Sequence, residues 1–146
     1  MNYMHVALNE AKKAFIENEV PVGAVIVYNN TVIASSHNKC ETLNDNTAHA
    51  ELLVIRKALS ILSQKQLSEC DLYVTVEPCA MCTGAIFNTK IKRIYIGCME
   101  PKTGCLGSIT DLSKMLPWNP EIYYGFCEDE CKKLMKDFFE SKRKSV

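Results

Sequence analysis

The sequence is short of several things at once. Its 17 lysines and arginines are matched by 17 aspartates and glutamates, so there is no global basic field, and any grip on nucleic acid must come from local patches. Long apolar runs are missing too. The longest stretch without a charge, Val20 to Asn38, is interrupted by Pro21, Asn29 and Asn30 and makes a poor membrane span. The opening MNYMHVALNEAKKAF has no basic segment leading into a long apolar core, so no signal peptide is expected. No repeat, linker or low-complexity block interrupts the 146 residues, which leaves one domain, 1–146, able to bury a core of its own. Apolar residues at 47% and charged residues at 23% are ordinary for a globular protein, and a reducing cytoplasm is the expected compartment. The eight cysteines therefore have no call to be disulfides. Cys70, Cys98 and Cys131 lie in apolar segments, where a small buried thiol is the plain reading.

Periodicity supplies the elements. Met4, Ala7, Leu8, Ala11 and Phe15 recur at helical spacing. Val20 to Tyr28 and Thr31 to Ser35 are β-rich runs joined by Asn29-Asn30, both tolerant of positive φ, and predict a hairpin. Cys40 to Asn46 reads as polar loop. Asn46 or Thr47 can cap a helix over about Ala48 to Leu62. Strands are expected at Asp71 to Val76 and Lys92 to Gly97, around a short helix from Ala80 to Asn88. Lys102 to Gly107 is loop, the region of Pro117 to Pro120 has no clear pattern, and a last helix covers about Asp129 to Lys142. Strands separated by helices imply an α/β sheet with parallel pairs after an antiparallel start, covered on both faces.

The chemistry concentrates in YVTVEPCAMCTGAIF, Tyr73 to Phe87. Pro78 pushes Glu77 into extended geometry and then suits an early helix position. Cys79 and Cys82 then share one face of a first helical turn, where free N–H groups favour thiolate. A structural zinc site would need two more paired ligands, and the chain has no second C-x-x-C and no H-x-x-x-H. Instead, TAHAELLVIRK places His49 and Glu51 in the first turn of the second long helix, upstream of the cysteines. Side chains in a first turn lean towards the N-terminal tip, so a metal held off that tip can meet one and approach the other. His49, Cys79 and Cys82 make three ligands, and a fourth position open to water marks a catalytic zinc. On spacing alone H-x-E is weak. H-x-E followed by P-C-x-x-C is the known signature of the zinc deaminases, so the match identifies this motif and does not discover it. A catalytic zinc is the favoured reading of these residues, with structural zinc or redox use as the alternatives. In that reading Glu51 moves protons without binding the metal, and Glu77 is structural.

From these residues outward, the chain resembles the bacterial tRNA-specific adenosine deaminases. The likeness runs through EVPVGAVIV, HN, TAHAE, LYVTVEPCAMCTGAI, PKTG and DEC…DFF, in family order and over nearly the whole length. It is more specific than the zinc motif, which cytidine, cytosine and guanine deaminases share. The resemblance implies a three-layer α/β/α cytidine deaminase-like sandwich around a central five-stranded mixed sheet. It implies a homodimer that converts the wobble adenosine of an arginine tRNA anticodon to inosine. Carried over by position, it puts one Zn2+ per subunit on His49, Cys79 and Cys82, and the proton shuttle on Glu51. It makes the Ala50 backbone N–H and the Asn38 side chain base contacts, with Val22 packed against the flipped base. Phe139 and Arg143 match the RNA-facing end of the last helix, and Lys102 of the PKTG block joins the substrate-binding residues. Two departures stand out: Glu100, where the family usually has aspartate, and Glu140, where a basic residue is common.

The last helix carries its own signal. Cys131, Leu134, Met135 and Phe138 should face the core. Lys132, Lys136, Phe139 and Arg143 form a separate stripe, three cations around one aromatic. Cations hold phosphates and an exposed ring can stack on an unpaired base. By itself such a stripe is more often a solvated face; beside a zinc deaminase motif it favours an anticodon stem-loop as partner. The competing readings are a small-molecule guanine or cytosine deaminase and a non-catalytic zinc-stabilised RNA-binding subunit. The cationic stripe argues against the first and Glu51 against the second.

Overall fold

The computed structural model describes residues 2–144. Helix α1 (Tyr3–Ile16) begins at Asn2, whose side chain accepts the Met4 N–H. It buries Met4, Ala7, Leu8 and Ala11, as the periodicity predicts, and Ala14 as well, while Phe15 is half-buried. Strands β1 (Gly23–Tyr28) and β2 (Thr31–His37) form the expected hairpin, and Asn29 and Asn30 turn it with φ of 49° and 58°. The first strand starts at Gly23 and not at Val20, because the Val22 N–H is spent locally on the Val20 carbonyl. Gly23 is required by space. A Cβ there would lie 1.9 Å from the Ala7 carbonyl oxygen, so its missing side chain lets α1 lie directly on the sheet.

The sheet has the order β2-β1-β3-β4-β5, with β3 at Asp71–Val76, β4 at Arg93–Cys98 and β5 at Glu121–Tyr124. β1 pairs antiparallel with both β2 and β3, and β3, β4 and β5 run parallel. The antiparallel start and later parallel pairs agree with the sequence pattern. Alternation assigns the faces: Val25 and Val27 pack with Met4 and Ala7 of α1, while Ala24 and Ile26 join the cluster built on the helix that follows His49. Helices α1 and α6 (Glu128–Lys144) meet on one face, where Phe15 and Phe138 stack edge to face at 5.7 Å. On the other lie α3 (Ala50–Leu59) and α5 (Ala80–Asn88), which bury Val54, Ile55, Ile86 and Phe87. This is a three-layer α/β/α sandwich around a five-stranded mixed sheet.

Three local expectations need correction. Cys40–Leu43 is a short helix, α2, and not loop. Its cause lies outside it: the buried Glu19 carboxylate accepts the N–H groups of Glu41 and Thr42 and the Thr42 hydroxyl. The helix expected over Ala48 to Leu62 is shorter at both ends. His49 is extended, and after Leu59 the chain restarts as α4 (Gln64–Leu67) behind a Ser63/Gln66 capping box. The unpatterned stretch leads into β5, an edge strand whose four residues are half-exposed or exposed and show no alternation.

All eight cysteines are free, and Cys70, Cys98 and Cys131 are buried as expected. On α6, Cys131 and Phe138 are buried and Leu134 and Met135 half-buried, while Lys132, Lys136, Phe139 and Arg143 face outward. Among the described residues no helix is long and apolar enough to cross a membrane.

Candidate active site

The first turns of α3 and α5 point the same way from neighbouring positions on one face of the sheet. Both His49 and Cys79 sit one residue before their helix, in extended conformation, and neither side chain caps it. The sequence placed both inside the first turn. The cap position instead turns each side chain across the helix tip towards the other, and Cys82 of α5 completes the group. His49 Nδ1 lies 3.7 Å from Cys79 Sγ and 3.4 Å from Cys82 Sγ. All three donor atoms fall within 4.8 Å of one another. A tetrahedral ion with ordinary Zn–S and Zn–N bonds would space sulfur and nitrogen donors by about 3.5 Å, so the set fits zinc. Two soft thiolates and one imidazole are also the donors that zinc selects. The other His/Cys/carboxylate group among the described residues joins His5 of α1, half-buried Cys127 just before α6, and Glu130 of α6.

A hydrogen bond from Cys82 holds the Cys79 thiol down to about 4, and His49 adds to the effect against the pull of burial. Cys82 is pushed up by the same bond and by burial. The two sulfurs thus share one proton, which a metal would displace. The hydrogen bond to Cys79 raises the His49 imidazole. Glu51 is only 3% exposed, and burial lifts its carboxyl to about 7. It touches Cys82 but is not one of the three clustered donors.

These groups open on a cavity of about 190 Å3. That is below the roughly 300–1,000 Å3 of pockets for drug-sized ligands, a space for one ring system. Val22, Asn38, His49, Glu51 and Cys79 all line it, while Cys82 lies beneath. Ala50 is placed differently from its role in the resemblance. Its N–H donates to Asn38 Oδ1 at 2.8 Å, so that amide is engaged within the protein and Asn38 keeps its own amide nitrogen for the cavity.

Lys102, Phe139 and Arg143 do not line the cavity. They line an adjoining groove of about 810 Å3 together with Lys132 and Lys136. Val20, Glu100, Thr103 and Met135 line both spaces, so the groove leads into the cavity. Phe139 is 41% exposed and packs edge-on against Phe138. Lys132 pairs with Glu128 at 3.1 Å, while Lys136 and Arg143 form no ion pair among the described residues. Glu140 lies outside the groove lining. Cys40, Val76, Thr103 and Met135 were not singled out from the sequence as cavity residues. Met135 carried a signal for the core alone, Val76 and Thr103 lay inside matching family blocks without a role of their own, and Cys40 carried no signal.

The comparisons with known proteins agree with this geometry. The family described as the cytidine and deoxycytidylate deaminase zinc-binding region matches residues 1–98. The tRNA-specific adenosine deaminase of Rickettsia typhi is 42% identical over 98% of this chain and 99% of its own length. That of Bacillus subtilis is 42% identical over 97% of this chain and 89% of its own. A structure from a study of A-to-I editing by tRNA:A34 deaminases at the wobble position superposes with a TM-score of 0.85. It is 44% identical and covers 90% of this chain and 97% of its own. Guanine deaminase from Bacillus subtilis superposes less well, with a TM-score of 0.62 at 38% identity over 66% of this chain and 62% of its own.

Proposed function

Since this chain belongs to the cytidine and deoxycytidylate deaminases and, within them, to the tRNA-specific adenosine deaminases, we propose that it turns the wobble adenosine of a tRNA anticodon into inosine. The reaction is a hydrolysis: water adds to C6 of the adenine, the C6–N bond breaks, a carbonyl remains and ammonia leaves. His49 Nδ1 and the Cys79 and Cys82 thiolates would hold one zinc ion per subunit, which when bound would supply a hydroxide-like nucleophile near neutral pH. Glu51 takes one proton from the attacking water and delivers it to the ring nitrogen next to C6, then takes the second from the hydroxyl now on C6 and passes it to the departing amine, leaving the carbonyl. Asn38 offers its amide nitrogen to the ring and Val22 an apolar surface. The 190 Å3 cavity admits a base only after it leaves its stack, a small cost in an already unpaired anticodon loop.

The observation that carries the reading is the groove. A base-sized cavity ending in a buried carboxylate beside a His-Cys-Cys set opens directly onto Lys102, Lys136, Phe139 and Arg143. A free nucleobase has no phosphate for those cations, and a non-catalytic RNA-binding subunit has no use for Glu51. An arginine tRNA, a homodimer and a cytoplasmic site of action complete the proposal, on the family resemblance.

Incubating an isolated anticodon stem-loop with the zinc-loaded protein is expected to yield inosine at the wobble position alone, read by nuclease mapping. Turnover of free guanine or cytosine with none of the stem-loop would reverse the reading. Changing Lys136 and Arg143 together to alanine should weaken stem-loop binding and flatten its salt dependence. For two phosphate contacts to single-stranded RNA, the slope of log K against log salt should fall by about 1.4. Fluorescence anisotropy over a salt series measures it, and an unchanged slope would place the backbone elsewhere.

A further inference from the structure

We propose that the buried carboxylate of Glu77 is a positioning residue for the RNA: it clamps the 99–108 loop into the wall between cavity and groove. The proposal rests on the tRNA reading above. Glu77 follows the last residue of β3 and directly precedes Pro78-Cys79, yet it is not among the metal donors. It is 3% exposed, and both its oxygens are turned to one distant segment. Oε1 accepts the Glu100 N–H at 3.0 Å and the Ser108 hydroxyl. Oε2 accepts the Leu106 N–H at 2.9 Å and the Ser108 N–H at 3.0 Å. The main chain adds to the seam, with Cys105 N–H donating to the Pro78 carbonyl at 2.9 Å.

Gly104 completes the arrangement. A Cβ at that position would lie 2.2 Å from the Glu77 carboxylate, so the loop can close over the acid only with glycine there. What the clamp holds is the substrate surface. Glu100 and Thr103 line both cavity and groove, and Pro101 and Lys102 line the groove.

A buried carboxylate is a costly way to hold a fold together, since an apolar residue avoids the desolvation. Its return here is directional. Four donors converge on two oxygens and select one loop conformation, with charge-assisted bonds stronger than neutral ones. The acid next to the metal ligands therefore acts through the loop, on the placement of the RNA.

The test compares zinc-loaded wild type with Glu77→Gln, which keeps the size but puts an NH2 where N–H groups need an acceptor. KM for the anticodon stem-loop should rise by roughly tenfold, the usual scale of a lost bond to a charged group, with kcat within about threefold. Zinc should stay at one per chain. Gly104→Ala, far in sequence from the ligands, should raise KM similarly and add little in the Glu77→Gln background, because both break one contact. In each variant the Leu106 and Ser108 amides should exchange faster with solvent. A fall in kcat at constant KM, loss of zinc, or an unchanged KM in both variants would overturn the proposal. If wild type leaves the stem-loop untouched, the tRNA reading fails. The clamp is then judged on amide exchange: faster exchange keeps it and unchanged exchange removes it.

Discussion

Glu51→Ala is expected to bind a full complement of zinc, keep the wild-type fold and lose roughly 10^2- to 10^4-fold in kcat, the span of general acid–base catalysis. The reasoning is positional. Glu51 lies in the first turn of α3, two residues past His49, with its carboxyl buried against Cys82 and open to the cavity. None of the three clustered donors is lost when it is removed, so metal content should hold. Removing it takes away the one carrier placed to move a proton from the nucleophile to the ring and then to the leaving ammonia. Glu51→Gln should behave alike, since the amide fits the space but cannot shuttle a proton. Inosine formation under single-turnover conditions reads kcat, and elemental analysis reads zinc. Undiminished turnover in either variant would remove Glu51 from the chemistry.

Cys82→Ala should fail differently, by releasing the metal. Cys82 is fully buried beneath the cavity, and its sulfur is 3.4 Å from His49 Nδ1. Two ligands in place of three leave a site too weak to retain zinc through dialysis. Stoichiometry is therefore expected to fall from about one zinc per chain to near zero, with turnover lost beyond detection. The melting temperature should fall as well, because an ion held by His49, Cys79 and Cys82 would stabilise the folded chain by binding it. Full zinc content in the purified variant would mean that the donor set lies elsewhere. The pair of variants separates proton traffic from metal binding, one losing turnover with zinc in place and the other losing both.

Much of this was legible from residue types and spacing. His49, Cys79 and Cys82 announce a metal site because only a few side chains bind zinc, and their identities are printed in the chain. The hairpin at Asn29-Asn30 and the inward face of α1 follow from local rules of φ and periodicity. Those rules act over a few residues and need no knowledge of the rest.

Features decided by distant partners were not legible. Helix α2 looks like polar loop because its anchor, Glu19, lies some twenty residues upstream. Strand β5 carries no alternation, since an edge strand gains its place from the β4 ladder and not from burying a face. The Ala50 N–H was assigned to a base, and the structure spends it on Asn38.

The sequence by itself determined the chemistry: which atoms can hold zinc, which carboxylate can shuttle a proton, and which family the chain resembles. Residue identity is enough for that. Only the tertiary structure decided the arrangement. It brought His49 to the cap of one helix and Cys79 to the cap of the next, and opened the cavity onto the cationic groove. It also set Glu77, the nearest acid in sequence to the cysteines, to hold a loop. Such choices depend on contacts across 20 to 60 residues of chain, where packing and the satisfaction of buried donors outweigh local preference.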